Sequence, residues 1–357
     1  MILTSLHLQS FRCFTDARFT FHPSFNFISG QNGVGKTALL EAISLLSVGR
    51  SFRSREIQPL IQAHHDEMTL FANIQDGHTL SIQKSKLSPT QIKINTQTCF
   101  RTSELTSFLP SQIIYHDLFQ IIEAGPAVRR QLIDWGMFHV KQNYHEYLKQ
   151  YGQALKQRNA LLKRRVGASQ FAHWNQTLNE LAEWIDEARQ TYFNALYPIF
   201  KTILTQLCSF DCELSLYNGW SNEGKKLAEV LAHHYETDLQ RQYTQFGPHH
   251  ADLAITTKTG KVKLYLSRGQ QKILLLGLKI AQAKLLAKPL VYIWDDVCSE
   301  LDEAHLEKLS ELIQSMPGQF FISGVHVSNT PLFKKNNGVL IQLNLKETEP
   351  RPSGSGY

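Results

Sequence analysis

The stretch Phe25-Asn-Phe-Ile-Ser-Gly-Gln-Asn-Gly-Val-Gly-Lys-Thr37 leaves the chain little choice of fold. An apolar strand runs into Gly30-x-x-x-x-Gly35-Lys36-Thr37 and straight on into Ala38-Leu-Leu-Glu-Ala-Ile43, which favours a helix. Glycines let the backbone turn with positive φ, so the N–H groups of Gly30, Gln31, Asn32, Gly33, Val34 and Gly35 can point inward at a polyphosphate. The helix that follows adds its positive N-terminus. Lys36 would reach the β- and γ-phosphates, and Thr37 would hold Mg2+ through its hydroxyl.

At 357 residues the chain has room for two domains or lobes, and its composition is ordinarily globular. No apolar run approaches the ~20 residues a membrane-crossing helix needs, and Met1-Ile-Leu-Thr-Ser5 lacks the flanks of a signal peptide. A cytosolic protein without a membrane partner is expected. Cys13, Cys99, Cys208, Cys212 and Cys298 form neither a disulfide ladder nor a zinc spacing and suit the core. The net charge of +6 suggests an anionic partner, but the excess is spread thinly, so local clusters must carry that case.

Residues 2–9 read as a strand, and a second is expected to lead through Phe19, Phe21, Phe25 and Phe27 to Gly30. After the loop helix, Gly49-Arg-Ser-Phe-Arg-Ser-Arg55 brings Arg50, Arg53 and Arg55 close together, either facing phosphates of nucleotide or DNA or simply solvated. Residues 68–95 alternate apolar and polar around the turn signal Asp76-Gly77, the pattern of an antiparallel meander. From Tyr144 the period becomes helical: Tyr144, Leu148, Tyr151, Leu155 and Leu162, then Phe171, Trp174, Leu178, Leu181, Ile185, Ala188 and Tyr192. This predicts an antiparallel helical hairpin of roughly 25 residues per arm. Lys156, Arg158, Lys163, Arg164 and Arg165 gather near its tip as candidate DNA contacts.

Strand patterns return at 211–217, 252–256 and 262–266. Ser267-Arg-Gly269-Gln270-Gln-Lys272 then opens an apolar helix, where a serine hydroxyl and a glycine N–H make a second anion site. Next, Leu290-Val-Tyr-Ile-Trp-Asp295-Asp296 reads as a buried parallel strand ending in two carboxylates. Asp295 would bind Mg2+ through its water shell, Asp296 would orient or deprotonate an attacking water, and Lys36 completes the catalytic set. Asp302 suits the N-cap of a helix at 303–315, a final core strand is expected at 319–323, and 346–357 is expected to be disordered.

Phosphate loop, Ser-x-Gly-Gln, Asp-Asp and Ser299-Glu-Leu-Asp302 follow the motif order of ABC-type ATPases. Nearly the whole chain, from Phe11-Arg12 to Phe320, resembles the RecF family of bacterial recombination mediators. The resemblance rests on Gly33-x-Gly-Lys-Thr-x-Leu-Leu-Glu-Ala-Ile43, Gly49-Arg-Ser-Phe-Arg53, Gly125-Pro-x-x-Arg129-Arg130-x-x-x-Asp134, Gly247-Pro-His249 with Asp252-Leu253, and Ser267-x-Gly-Gln-Gln-Lys272. It implies an α/β ABC-type ATPase head with an antiparallel N-terminal sheet, made of residues 1–136 and 246–345 and split by a mainly helical lid at 137–245. It implies ATP and Mg2+ as cofactors, and an ATP-dependent homodimer in which Ser267, Gly269 and Gln270 cap the γ-phosphate held by the other subunit. Weak DNA-stimulated ATP hydrolysis, binding to double-stranded and single-stranded or gapped DNA, and RecR and RecO partners in placing RecA during repair are implied as well.

Four departures stand out. His250 and Ala251 replace an Arg and an Asp of the family pattern, and Tyr115-His-Asp117 stands where Asn/Ser-Pro-Glu-Asp is usual. Asp296 takes the place of the Glu of transporter ATPases, and Gly324 that of their switch histidine, with His326 two places too late. Slow hydrolysis is therefore expected. A transporter subunit would not need the helical insertion at 137–205, and an SMC or Rad50-type clamp would need arms of hundreds of residues.

Overall fold

The computed structural model describes residues 1–220 and 224–344, so the tail expected to be disordered lies outside the described residues. The chain divides into two compact units, Met1–Leu118 with Ala287–Tyr357, and Phe119–Leu286. The second unit is wider than the lid expected at 137–245. It also takes in 119–136 and 246–286, because Arg129 pairs with Asp252 and the Gln282 amide donates to the Leu132 carbonyl.

The first unit is built around α1 (Lys36–Val48). Every residue from Ala38 to Ser47 is buried, as befits a helix covered on all sides rather than along one stripe. One cover is an antiparallel sheet ordered β2-β1-β4-β5-β6-β7. Its strands are β1 (Leu3–Phe11), β2 (Phe14–Thr20), β4 (Glu67–Ile74), β5 (Thr79–Ser85), β6 (Gln91–Ile94) and β7 (Gln97–Thr98). The other is a parallel sheet ordered β14-β3-β13-β12-β8, with β3 (Phe25–Ser29), β8 (Ser111–Ile114), β12 (Leu290–Trp294), β13 (Gly318–Gly324) and β14 (Gly338–Gln342). α1 touches β4 and β5 of the first sheet and β8, β12 and β13 of the second. β3 and β12 are buried at every position, which is why they read as unbroken apolar runs.

Three short helices complete this unit: α2 (Thr102–Phe108), α11 (Glu303–Gln314) and α12 (Pro331–Lys335). Asp302 caps α11 by accepting the His305 N–H at 2.8 Å. Two expectations need correction. The phenylalanine run is not one strand: β2 ends at Thr20 and β3 starts at Phe25 in a different sheet, with Pro23 between them. Nor is the strand near 319–323 the last, since β14 follows and pairs with β3.

The second unit is mainly helical, with α3 (Gln120–Glu123), α4 (Pro126–Val140), α5 (Tyr144–Arg164), α6 (Ala172–Leu207), α7 (Leu227–His233), α8 (Tyr235–Arg241), α9 (Val262–Tyr265) and α10 (Arg268–Leu286). β9 (Glu213–Tyr217), β10 (Asp252–Thr257) and β11 (Gly260–Lys261) form a small sheet ordered β11-β10-β9. α5 and α6 are the expected hairpin, clamped where Tyr147 stacks face to face on Trp184 with centroids 3.7 Å apart. α6 runs for 36 residues through Pro198, well past the expected arm. The strand expected at 262–266 is the helical turn α9, with only Gly260–Lys261 paired to β10.

Candidate active site

Three neighbouring strands, β3, β13 and β12, end together at the carboxyl edge of the parallel sheet, with Ser29 opposite Gly324 and Trp294 opposite Ile322. In open α/β sheets this edge is where ligands bind. The loop from Gly30 to Thr37 leaves β3 here. Gly35, at φ 101°, is closed on one side: a Cβ would lie 2.8 Å from Cys13 Sγ and 2.9 Å from the Phe14 ring. Gly33, at φ 88°, is open, with nothing within 4 Å of where a Cβ would sit. Buried Val34 anchors the loop between them, while Gln31 and Asn32 are exposed.

Lys36 folds over the loop, its Nζ donating to the carbonyls of Gly30 at 2.7 Å and Gln31 at 2.8 Å. Burial holds its pKa below the usual lysine value, against the pull of Asp296 and Asp295. The Thr37 hydroxyl donates to Asp295 at 2.9 Å (Oδ2) and 3.1 Å (Oδ1). Ser323 donates to Asp295 Oδ1 at 2.7 Å, and its oxygen accepts the Asp296 N–H at 3.0 Å. Asp296 takes left-handed backbone at φ 51° and is exposed, and its carbonyl accepts from the Ser299 hydroxyl at 2.8 Å. His326 is exposed, two residues beyond the end of β13.

These residues suit a magnesium nucleotide. A hydroxyl and a carboxylate in mutual contact are the hard oxygen donors that Mg2+ takes alongside phosphates and waters, and the open face at Gly33 allows close approach to backbone N–H groups. No group of three or more His, Cys, Asp or Glu forms a self-sufficient metal site among the described residues.

Ser267 begins α10 with a reciprocal cap: its N–H donates to Gln270 Oε1 at 2.9 Å and its Oγ accepts the Gln270 N–H at 3.3 Å. Ser267 is exposed and Gly269 is half-buried. Arg268 lies between them in sequence, paired with Glu123 and stacked 3.8 Å over the Phe119 ring.

The basic candidates divide. Arg50, Arg53 and Arg55 are exposed, and their loop is built rather than merely solvated. The Ser51 hydroxyl donates to fully buried Glu41 and accepts the N–H groups of Arg53 and Ser54, while Arg12 grips the same carboxylate through two bonds. Lys156, Lys163, Arg164 and Arg165 are exposed on or just beyond α5. Arg158 must be withdrawn as a DNA contact. It is 0% exposed, bonded to Asp238 at 2.7 Å, Thr244 at 2.7 Å and Asn175 at 2.9 Å.

The remaining motif residues are internal braces. Arg129 clasps Asp252 through two bonds, Arg130 donates to the Ala251 carbonyl, and Asp134 accepts from Tyr144 and Arg189. Arg130 meets the main-chain oxygen of residue 251, a contact that asks nothing of the Ala251 side chain. Sequence reasoning placed Arg12 and Glu41 in the family motifs without giving them a role, and gave none to Ser323, for which the only signal was a small polar residue at the end of an apolar strand.

A phosphate loop and an acidic strand end on two parallel strands of one sheet, separated by a single strand, with a second, antiparallel sheet across the loop helix, define the head of an ABC-type ATPase. The profile of the RecF/RecN/SMC N-terminal domain family matches residues 2–346. The DNA replication and repair protein RecF of Marinomonas sp. (strain MWYL1) is 38% identical over 339 residues, 92% of each chain. The chain belongs to the RecF family. Its counterpart in Shewanella loihica (strain ATCC BAA-1088 / PV-4) is 35% identical, covering 94% of this chain and 96% of its own. A solved structure of the recombination mediator protein RecF with ATP, in the RecFOR pathway, aligns with a TM-score of 0.80 at 25% identity, covering 96% and 95% of the two chains. An Smc head bound to the C-winged helix domain of ScpA shares the fold at a TM-score of 0.61 and 18% identity, covering 96% and 94%.

Proposed function

We propose that this chain is an ATP-dependent DNA-binding protein of recombinational repair and replication-fork maintenance. The convergence of Thr37, Asp295 and Ser323 beside Lys36, at the ends of adjacent parallel strands, carries the reading. Lys36 and the loop N–H groups bind the phosphates, Thr37 and Asp295 hold Mg2+, and Asp296 orients the attacking water. The metal supplies charge neutralisation at the transferring phosphate. Hydrolysis is slow, because Asp296 is one methylene shorter than Glu and no histidine stands in register beside it; a misplaced base typically loses ~10²–10⁴ in rate. ATP therefore acts first as the glue of a homodimer, in which Ser267, Gly269 and Gln270 of one subunit cap the γ-phosphate held by the other. That dimer binds duplex and gapped DNA and, with RecR and RecO-type partners, promotes RecA loading in the cytoplasm. That the RecF solved with ATP is a recombination mediator protein of the RecFOR pathway supports this reading.

The test pairs two variants. Ser267→Arg should bind ATP yet fail to dimerise, and Lys36→Ala should fail for want of nucleotide. Mixed, they contain one intact composite site, so part of the ATP-dependent dimer and of the ATPase activity should return. A mixture that exchanges subunits but stays inactive would remove the cap in trans, and Ser267→Arg dimerising normally would remove the cap assignment altogether.

A further inference from the structure

We infer that Ser323 is a positioning residue that sets both carboxylates of the site, Asp295 for the metal and Asp296 for the water. The inference rests on the magnesium-nucleotide reading above. Ser323 is fully buried near the carboxyl end of β13, the strand between the one that feeds the phosphate loop and the one that carries the two aspartates. Its hydroxyl is used twice, donating to Asp295 Oδ1 at 2.7 Å and accepting the Asp296 N–H at 3.0 Å. A hydroxyl can do both because it has one proton and two lone pairs.

Each bond has its own consequence. Asp295 receives two donors, Thr37 and Ser323, and of these Thr37 is also the residue placed to meet a metal. When the Thr37 hydroxyl turns to that duty, Ser323 still fixes Asp295 Oδ1 and leaves Oδ2 facing the site. The bond from Asp296 N–H holds the peptide whose left-handed turn, at φ 51°, brings the Asp296 side chain out to solvent at the strand end. A non-glycine residue keeps such a backbone only where its surroundings hold it. One buried hydroxyl thus ties the direction of one carboxylate to the backbone of the next.

The experiment measures binding of a fluorescent ATP analogue by the full chain against Mg2+ concentration, with ATP turnover and thermal unfolding alongside. Wild type, Ser323→Ala, Ser323→Thr and Asp295→Asn are compared. Loss of a group that orients a metal ligand typically lowers metal affinity or activity about ten- to a hundredfold. Ser323→Ala should bind the analogue in EDTA as wild type does, need about ten- to a hundredfold more Mg2+ for its half-maximal effect, and lose turnover by a similar factor with KM for ATP little changed. Ser323→Thr should recover most of the loss. Should Ser323→Ala not fold, Ser323→Cys, a weak donor of similar size, carries the test in the same direction. A folded Ser323→Ala (or Ser323→Cys) with the wild-type Mg2+ requirement overturns the inference, as does a loss that Ser323→Thr fails to repair. If Asp295→Asn shifts the Mg2+ requirement and Ser323→Ala does not, Ser323 alone is misassigned; if neither shifts it, the metal reading of the site falls with it.

Discussion

The strand-edge site of the first unit and the braces of the second treat charge in opposite ways. In the first, Lys36, Asp295 and Asp296 gather at an open strand edge, held by hydroxyls and main-chain carbonyls that leave their charge directed outward. In the second, equally conspicuous charges close on one another: Arg158 on Asp238 at 2.7 Å with both side chains 0% exposed, Arg129 on Asp252, and Arg189 on Asp134. Residue type and clustering look alike in the two places. What separates a binding charge from a brace is whether a counter-charge arrives from elsewhere in the chain, 80 residues away for Asp238 and 123 for Asp252.

The largest expected effect tests that contrast with one kind of substitution in both units. Asp238→Asn leaves the Arg158 guanidinium buried without its counter-charge and should destabilise the protein by about 3–5 kcal/mol, seen as a lower urea midpoint at unchanged slope. Asp295→Asn should change stability by no more than about 1 kcal/mol while ATP turnover collapses. A stable Asp238→Asn would break the comparison.

A smaller effect concerns His249. Its Nε2 meets the Thr244 carbonyl at 3.1 Å, which can only accept, so that nitrogen carries the proton and Nδ1 accepts from the Tyr151 hydroxyl at 2.8 Å. Burial pushes its pKa down to about 4, against a partial upward pull from the Thr244 carbonyl. The folded state keeps His249 neutral where the unfolded chain takes up a proton. Stability from this group is therefore complete above about pH 6.5 and falls as the pH drops toward 4, by up to about 3 kcal/mol. The difference in unfolding free energy between wild type and His249→Gln, followed across that window, should shrink as the pH falls; a constant difference would mean that the ring is not held neutral.

The smallest effect sharpens the reading of the remaining exposed cations. If Arg53 and Arg164 meet DNA phosphates, Arg53→Ala and Arg164→Ala should each lower the slope of log affinity against log salt by about 1. Unchanged slopes would return both residues to solvent, where Arg164 already has a use beside the negative end of α5.

Legibility in the sequence followed the same division. The phosphate loop and the acidic strand end were readable because their chemistry is local: each is a short run whose spacing sets its geometry. Arg158 was misread because its fate depends on Asp238, Thr244 and Asn175, which no local pattern connects to it. The alternation of Val262, Leu264 and Leu266 fitted a strand, yet residues 262–265 are too few for periodicity to decide and coil into α9. β14 escaped notice because its apolar residues are partly exposed on an edge strand and follow a run of Lys and Asn.

The burial of α1 carries one more consequence. With every residue from Ala38 to Ser47 enclosed by two sheets, its amides can meet water only when those sheets part, so in hydrogen exchange it belongs with the last segments to open. The phosphate loop is the direct extension of that slow segment. Whatever grips the loop therefore prolongs the lifetime of the whole first unit, instead of merely quieting a surface turn.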